Sequence, residues 1–218
     1  MIRLVIFDLD GTLVNAYRAV ASSINHTLRK MGLLPRSYAQ IRRSVGFGDK
    51  HLLKGFVGEK RAEQAIRIYR AHHGKALSEK GGVTFLPGAK ALLPYLRRQG
   101  IVLAIATNRP ARFTAIILKT LGMKGFFDSV LCADKAPRPK PYPDMLHIIK
   151  ERYRFPTKEV LFVGDMDIDI NTGRRARVRT VAVATGSCTH QELKTLQPYR
   201  VIAKIAELKN IIKESGNE

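Results

Sequence analysis

The stretch of sequence that decides the fold is Val5-Ile6-Phe7-Asp8-Leu9-Asp10-Gly11-Thr12-Leu13. A run of apolar residues ends in two carboxylates separated by one residue, which predicts a buried strand that delivers Asp8 and Asp10 to the end of a sheet. Ligands of open α/β sheets bind at the carboxyl ends of the strands. Two acids there are costly to hold unless a cation or a proton balances them. The pair therefore indicates a divalent metal, or a nucleophile beside a protonated acid that donates its proton.

The apolar pattern beyond this strand predicts a repeated β–α order. Strands are expected at residues 2–7, 101–106, 129–131, 160–163 and 180–183. Helices are expected at residues 15–32, 38–45, 59–77, 111–121, 143–153 and 168–176, with one more of about ten residues ending near Gly100. Continuous apolar runs are typical of strands buried on both faces. The order therefore predicts an α/β fold with a Rossmann-like, doubly wound parallel sheet.

One long segment interrupts this pattern near the acid pair. Residues 15–83 contain no convincing strand and have helical spacing of apolar positions. We expect them to form a small helical cap domain, inserted between the first strand and the rest of the sheet. Residues 1–14 and 84–218 are then the core domain, and the insertion lies where a lid over Asp8 and Asp10 would sit.

Composition limits the classes of protein that the chain can represent. Two cysteines do not make a disulfide framework, and no apolar run is long enough to cross a membrane, so we expect a cytoplasmic protein without a membrane partner. The net charge of +20 is unusual, but the basic residues are spread along the chain. This pattern favours a basic surface that attracts anionic small substrates, and a nucleic-acid partner is the less favoured alternative.

Two further polar clusters follow predicted strands or precede predicted helices. Thr107-Asn108-Arg109 comes directly after the strand at 101–106, where a hydroxyl and nearby amides suit a phosphate oxygen. Arg138-Pro139-Lys140-Pro141 presents one lysine from a backbone that the prolines restrict. A compact ammonium group can neutralise a carboxylate nucleophile and a transferring phosphoryl group.

The last cluster is Gly164-Asp165-Met166-Asp167-Ile168-Asp169, directly after the strand at 160–163. Asp165 can complete a metal site with Asp8, and Asp169 lies one helical turn further and can orient Lys140 or Asp165. Each cluster alone also has an ordinary explanation, such as a strand-end turn, a helix cap or a proline-rich loop. The order acid pair, hydroxyl, lysine, acid pair at successive strand ends is much harder to explain without a shared site.

These four clusters resemble the four motifs of the haloacid dehalogenase-like hydrolase superfamily, and Phe-Asp-Leu-Asp-Gly-Thr-Leu is specific for its phosphotransferase branch. The resemblance implies that Asp8 is the nucleophile that forms an aspartyl-phosphate and that Asp10 is the general acid and base. It also implies that Thr107 and Lys140 bind the phosphoryl group. Mg²⁺ is then the expected cofactor, held by Asp8, the backbone carbonyl of Asp10, and Asp165. Asn108 follows Thr107 and is counted with the substrate-binding residues.

Within that superfamily the chain looks most like phosphoglycolate phosphatases. The cap segment Val45-Gly46-Phe47-Gly48 supports this, because its glycines would let backbone amides approach an anionic substrate, with Lys50 beside them. We therefore expect Gly46 and Lys50 to contact a small phosphorylated metabolite, although a simple loop between cap helices explains the segment equally well. Asn15, Arg109 and Arg177 depart from the family's common pattern.

The expected function is Mg²⁺-dependent hydrolysis of a small anionic phosphomonoester, with 2-phosphoglycolate as the best single candidate. A sugar phosphomutase of the β-phosphoglucomutase kind would keep the same four clusters and differ in the cap. A nucleic-acid-end phosphatase, or a nucleic-acid binder that uses the basic charge, is the remaining alternative. A dehalogenase or a phosphonate hydrolase is disfavoured by the presence of Asp10. The sequence does not fix the oligomeric state.

Overall fold

The centre of the molecule is a six-stranded parallel sheet in a computed structural model, in which residues 1–215 are described. The strands, in chain order, are β1 (Leu4–Phe7), β2 (Val14–Asn15), β3 (Thr84–Phe85), β4 (Val102–Thr107), β5 (Ser129–Cys132), β6 (Val160–Gly164), β7 (Arg179–Val183) and β8 (Arg200–Ile202). The sheet has the order β5-β4-β1-β6-β7-β8, and every neighbouring pair is parallel. The predicted α/β, Rossmann-like fold class is confirmed.

Ten α-helices connect and flank these strands in the described part of the chain. They are α1 (Tyr17–Lys30), α2 (Tyr38–Ser44), α3 (Asp49–Val57), α4 (Ala62–Ser78), α5 (Ala89–Arg98), α6 (Ala111–Thr120), α7 (Asp144–Tyr153), α8 (Asp167–Ala176), α9 (His190–Thr195) and α10 (Leu208–Glu214). Short 3₁₀ turns occupy Glu59–Arg61, Ala133–Lys135, Thr157–Glu159 and Ile205–Glu207. No helix among residues 1–215 has the length and apolar character needed to cross a membrane.

The strands are apolar throughout because the sheet is covered on both faces. Val5 and Phe7 point into a core shared with α5, α6 and α10, whereas Leu4 and Ile6 point into a second core shared with α7. All four side chains have no exposed surface. Alternate residues of a strand face opposite sides of a sheet, so a central strand between two helical layers has no polar position until it ends.

The helical segment α1 to α4 begins and ends at two short strands that lie side by side. β2 and β3 pair antiparallel, Val14 with Phe85 and Asn15 with Thr84, so the chain leaves and re-enters the sheet region through two adjacent strands. Between them lie α1 to α4, of which α1 packs along α4. The prediction missed this strand pair, because two residues are too few for a period-two pattern.

Other missed elements have similar physical reasons. The prediction omitted α3, which begins after Gly48 at a φ of 84° and follows α2 with only a short loop between them. It also omitted β8, a three-residue strand at the sheet edge whose first residue is the exposed Arg200. Short elements at edges are stabilised by their neighbours rather than by a local pattern of their own.

Helix α8 approaches β7 closely enough to require a residue without a side chain. A Cβ atom on Gly173 would overlap Thr180 Oγ1, and its next neighbours would be Thr180 Cβ at 3.1 Å and the Val178 carbonyl oxygen at 3.2 Å. Helix α8 begins shortly after β6, and this contact brings its second half against β7. By contrast, a Cβ on Gly55 in α3 would meet no atom within 4 Å.

Substitution of these two helical glycines should change stability with opposite signs. Gly173→Ala should lower the free energy of unfolding by about 1–3 kcal/mol, because the added methyl group forces α8 away from β7. Gly55→Ala is the matched control and should raise it by about 0.5–1 kcal/mol through helix propensity alone. Urea unfolding of both variants measures the difference. Equal changes in the two variants would contradict the close approach of α8 and β7.

Candidate active site

The sheet order brings three of the four polar clusters together at the carboxyl ends of the central strands. β1 is central, with β4 on one side and β6 on the other, so their carboxyl ends are adjacent. Asp8 follows β1, Thr107 ends β4 and Asp165 follows β6. All three side chains are buried. The fourth cluster reaches the same place from the loop before α7, which carries Lys140.

Lys140 is the electrostatic centre of this site. Its Nζ atom donates to Asp8 Oδ1 at 2.6 Å and to Asp169 Oδ1 at 2.6 Å. The Lys140 side chain is 2% exposed, and those of Asp8 and Asp169 are 11% and 1% exposed. One buried ammonium group therefore links the end of β1 with the first turn of α8.

Asp169 also fixes the turn that carries Asp165. Its Oδ2 atom accepts hydrogen bonds from the backbone N–H groups of Asp165 and Met166, both at 3.1 Å. A carboxylate in the first turn satisfies N–H groups that have no partner within the helix. Both oxygens of Asp169 are thus engaged, and this residue orients Lys140 and Asp165 together.

Asp165 has no exposed surface and is surrounded by small or polar groups. Thr12 Oγ1 donates to its Oδ1 at 3.0 Å, and the Ser187 backbone N–H donates to its Oδ2 at 3.3 Å. Cβ atoms on Gly11 or Gly186 would overlap this carboxylate. The two glycines therefore make the space that Asp165 occupies.

Burial dominates the electrostatics of the acids. It raises the pKa of Asp8 to about 7, although Lys140 acts to lower it. Burial also raises the pKa of Asp165 well above its usual range, and the negative charges of Asp169 and Asp8 raise it further. Burial lowers the pKa of Lys140, but the Asp169 and Asp8 carboxylates outweigh it and raise this pKa above its usual value.

The donor set fits a divalent cation that prefers oxygen ligands. Asp8, Asp165 and Asp169 each offer a carboxylate oxygen within 4.8 Å of the others, and all three residues are buried. One lysine cannot balance three buried carboxylates, and buried charges need partners. Asp169 accepts three hydrogen bonds, one of them from the Lys140 ammonium group, whereas each oxygen of Asp165 accepts one bond from a neutral donor. Asp8 and Asp165 therefore have the greater capacity to hold an ion.

Asp10 is held by an arginine from the end of β4. Arg109 Nε donates to Asp10 Oδ2 at 2.6 Å, and Arg109 Nη2 donates to Asp10 Oδ1 at 2.8 Å. The two side chains are only 7% and 15% exposed. A bidentate pair of this kind is strong and directional. Both oxygens of Asp10 are therefore occupied by Arg109, and Asp10 is not a member of the buried acid triad.

Arg109 is in turn anchored by the helical segment. Its Nη1 lies 2.8 Å from Nε2 of His73 in α4, and His73 Nδ1 lies 3.0 Å from Ser23 Oγ in α1. A guanidinium group only donates, so His73 Nε2 accepts and the ring proton lies on Nδ1. Burial lowers the pKa of His73 to about 2, and the positive charge of Arg109 acts in the same direction. His73 is therefore a neutral acceptor.

Thr107 and Asn108 differ in what they can offer a ligand. Thr107 Oγ1 accepts from the Arg109 backbone N–H at 3.1 Å, which leaves its hydroxyl proton available. The Asn108 amide donates to the carbonyl oxygens of Gly46 at 3.1 Å and Lys140 at 2.9 Å, and accepts from the Lys140 backbone N–H at 2.9 Å. Both amide protons of Asn108 are thus used to join two loops.

A cavity of about 60 Å³ lies between these residues and the helical segment. Asp8, Asp10, Thr107, Asn108, Arg109, Lys140 and Asp169 line it on the sheet side. Tyr17, Val20, Val45, Gly46, Gly48, Asp49, Leu52 and Tyr69 line it from the helical segment. This volume suits a few water molecules or a small group. Any substrate is therefore enclosed by both parts of the chain.

The structure brings Gly46 to the cavity but not Lys50. Gly46 has a φ of 142°, and a Cβ atom there would lie 2.6 Å from Met166 Sδ, so the loop before α3 fits against the sheet edge only without a side chain. The Lys50 side chain is 69% exposed and its Nζ lies 3.6 Å from Glu63 Oε1. The cavity is lined by its neighbour Asp49 instead, because the phase of α3 turns Lys50 outward.

The sequence did not single out four residues that complete the site. Thr12 and Ser187 position Asp165, while His73 and Tyr69 pack around Arg109. Thr12 belongs to the first motif and could have been assigned from it. His73 and Tyr69 lie on α4 among other apolar positions, and their relation to Arg109 depends on how α4 packs on α6.

Comparison with known proteins agrees with this geometry. The sequence profile of the haloacid dehalogenase-like hydrolase family matches residues 5–183. A phosphoglycolate phosphatase of Pseudomonas fluorescens is 30% identical over 212 residues, which is 94% of this chain and 78% of the relative. The probable phosphatase IndB of Dickeya dadantii is 31% identical over 212 residues, 94% of this chain and 91% of the relative.

A solved structure also has this fold over almost the whole chain. The crystal structure of a predicted phosphoglycolate phosphatase from Haemophilus somnus has a TM-score of 0.90 and 26% identity, and the match covers 97% of this chain and 98% of that one. The four polar clusters, the sheet order and these matches lead to one conclusion. The chain is a phosphatase of the haloacid dehalogenase-like hydrolase family and resembles its phosphoglycolate phosphatase members.

Proposed function

We propose that the protein hydrolyses small anionic phosphomonoesters in a Mg²⁺-dependent reaction through an aspartyl-phosphate on Asp8, with 2-phosphoglycolate as the best single substrate. One observation carries the proposal. The Asp8 carboxylate lies at the carboxyl end of the central strand, 2.6 Å from a buried lysine and beside a second buried acid. Such a constellation supplies a nucleophile and charge neutralisation, the two needs of phosphoryl transfer.

In the first half-reaction an oxygen of Asp8 attacks phosphorus. Asp8 Oδ1 is held by Lys140, whereas Oδ2 accepts no hydrogen bond from residues 1–215 and is the better placed attacking atom. The new bond joins Asp8 to phosphorus while the bond between phosphorus and the ester oxygen breaks. Asp10, in its protonated form, gives its proton to the departing oxygen, as a general acid does.

The second half-reaction returns Asp8 to its starting state. Asp10 is now a carboxylate and takes a proton from water, whose oxygen attacks phosphorus. The bond between phosphorus and Asp8 breaks, inorganic phosphate forms, and Asp10 is again protonated. Asp10 therefore donates a proton in the first half-reaction and accepts one in the second, so a single residue serves as both acid and base.

Lys140 and Thr107 act on the phosphoryl group. The ammonium group of Lys140 neutralises negative charge on Asp8 and on the phosphoryl oxygens as they approach each other. Thr107 already accepts a backbone hydrogen bond, so its hydroxyl proton can be donated to a phosphoryl oxygen. Asn108 contributes by joining the Lys140 loop to Gly46 rather than through its side-chain amide.

Asp8, Asp165 and the backbone carbonyl of Asp10 are the groups that would hold Mg²⁺. When bound, the ion would neutralise charge on the transferring phosphoryl group and orient it. Mg²⁺ prefers few carboxylates and retains several waters, which agrees with two available acids. Thr12 and Ser187 hold Asp165 in the orientation that this role needs.

The substrate class follows from the size and surroundings of the cavity. A volume of about 60 Å³ suits a small organic group, and relatives about 30% identical are phosphoglycolate phosphatases. We assign residues 15–83 to a cap domain and residues 1–14 and 84–218 to the catalytic core, of which residues 216–218 lie outside the described part of the chain. In this view α1, α3 and α4 exclude bulk water and contact the part of the substrate that does not react.

Asp8→Asn should remove catalysis. An amide is a very poor nucleophile, so phosphate release from 2-phosphoglycolate should fall by at least about 10³-fold. The matched control is Asp167→Asn in the acidic cluster after β6, where the carboxylate accepts only the backbone N–H of Ile168. The measurement is inorganic phosphate released per enzyme with Mg²⁺ present. Substantial turnover by Asp8→Asn, or isomerisation of a sugar phosphate by the wild type without phosphate release, would overturn the proposal.

Asp165→Asn should remove the response of thermal stability to Mg²⁺. At a concentration of about 100 times Kd, binding should add about 2.7 kcal/mol to wild-type stability. For a chain of this size that is a rise in Tm of about 5–10 °C. The variant should show little rise. Differential scanning calorimetry measures both, and an undiminished rise in the variant would contradict the assignment of Asp165.

The same variant tests the raised pKa of Asp165 without metal. Because this pKa is raised in the folded state, the protonated carboxyl group contributes stability that is fully present below about pH 4 and is lost as pH rises through the folded pKa. Replacing it by a neutral amide should therefore raise metal-free Tm more at pH 7.5 than at pH 4, relative to the wild type. The reverse order would contradict the burial argument.

A further inference from the structure

One positively charged side chain that lines the cavity, that of Arg109, has no assigned role. Among the described residues, the acids that line the cavity are Asp8, Asp10, Asp49 and Asp169. The cationic residues that line it are Lys140 and Arg109. Lys140 is engaged by Asp8 and Asp169 at the phosphoryl end. Arg109 has no role in the two chemical steps, yet it is buried and faces the same cavity. A fully buried arginine at a reaction site needs a reason beyond surface charge.

Arg109 is only partly used by its present partners. A guanidinium group has five N–H donors. Two of them bind Asp10 and one binds His73, so two remain without a partner among residues 1–215. The present arrangement also occupies both oxygens of Asp10. While Arg109 holds that carboxylate, each oxygen of Asp10 accepts a hydrogen bond from the guanidinium group.

The surroundings make Arg109 a strong anion-binding group. Tyr69 and Phe113 are buried, line the cavity and pack around His73, with ring centroids 4.6 Å and 4.8 Å from its ring. Charge interactions are much stronger in such a water-poor, apolar region than at the surface. His73 keeps its acceptor aimed at Nη1, so the guanidinium stays in place if one partner is exchanged for another.

We propose that Arg109 is a specificity-determining residue that exchanges Asp10 for the carboxylate of the substrate. A planar guanidinium group binds a carboxylate through two parallel hydrogen bonds. A second carboxylate can therefore replace Asp10 at the Nε and Nη2 atoms of Arg109. Capture of the substrate's carboxylate then leaves an oxygen of Asp10 to face the ester oxygen. The inference rests on the proposed phosphatase function and names carboxylate-bearing phosphomonoesters as its substrate class.

This exchange predicts that the enzyme distinguishes substrates with a carboxylate from those without one in the rate of reaction as well as in binding. A phosphomonoester without an acidic group leaves Asp10 paired with Arg109, so it should bind and react slowly. A carboxylate-bearing substrate uses binding energy at its non-reacting end to release Asp10 for the reaction. Removal of Arg109 should therefore lower activity on the carboxylate-bearing substrate without lowering activity on the uncharged one.

The test compares 2-phosphoglycolate with its amide, which has the same size and no charge at that end. The wild type should prefer the carboxylate by at least about tenfold in kcat/KM. Arg109→Met should lower kcat/KM for 2-phosphoglycolate by about 100-fold and leave that for the amide unchanged or raised. The control is Arg112→Met, since Arg112 is exposed and lies over the Phe113 ring outside the cavity.

Several outcomes would overturn the proposal. A wild type that hydrolyses both substrates equally well, a result that needs no variant, would leave the phosphatase function standing and remove this role of Arg109. Equal losses for both substrates in Arg109→Met would reduce Arg109 to a structural residue. Failure of the wild type to hydrolyse any phosphomonoester, including an aryl phosphate, would instead contradict the proposed function itself.

Discussion

The site depends on the burial of three carboxylates around one ammonium group. Asp8, Asp165 and Asp169 come from the ends of two neighbouring strands and the start of α8, and Lys140 joins two of them at 2.6 Å. Burial raises the pKa values of Asp8 and Asp165, and the neighbouring carboxylates raise them further, so these acids are costly to hold in their ionised forms. A bound cation would lower that cost, because its positive charge stabilises the ionised carboxylates.

Backbone geometry makes this concentration of charge possible. The order β4-β1-β6 puts three strand ends side by side, and glycines at positions 11 and 186 leave room for Asp165 where a side chain would overlap it. The first turn of α8 then satisfies its N–H groups with Asp169. The acids are therefore held by the sheet and by a helix start, which are rigid elements, rather than by flexible loops.

The sequence was sufficient to predict the core fold because the central strands are buried on both faces. Their uninterrupted apolar runs end in polar clusters, and this contrast identifies both the strands and the sheet edge. The same reasoning did not reach β8 or α3, which are short and depend on neighbours for stability. Lys50 shows the limit within the cap, since a shift of one residue in helix phase decides whether Lys50 or Asp49 faces the cavity.

The pair between Asp10 and Arg109 lay outside sequence reasoning for a different reason. Its geometry depends on His73 and Ser23, which are far from the motifs in sequence and reach Arg109 only when α1 and α4 pack over the sheet edge. No local pattern encodes such a chain of contacts. It makes the helical segment part of the candidate site, because its residue His73 contacts the arginine that pairs with Asp10, the proposed general acid.

In the proposed reaction the phosphoryl group passes through a covalent bond to Asp8. The most direct measurement is rapid acid quenching of the wild-type enzyme during turnover of 2-phosphoglycolate, followed by peptide mass spectrometry. The account predicts a peptide containing Asp8 with the added mass of one phosphoryl group, which disappears as substrate is exhausted. A phosphoryl group on any other residue, or release of phosphate with no modified peptide at any time of quenching, would contradict it.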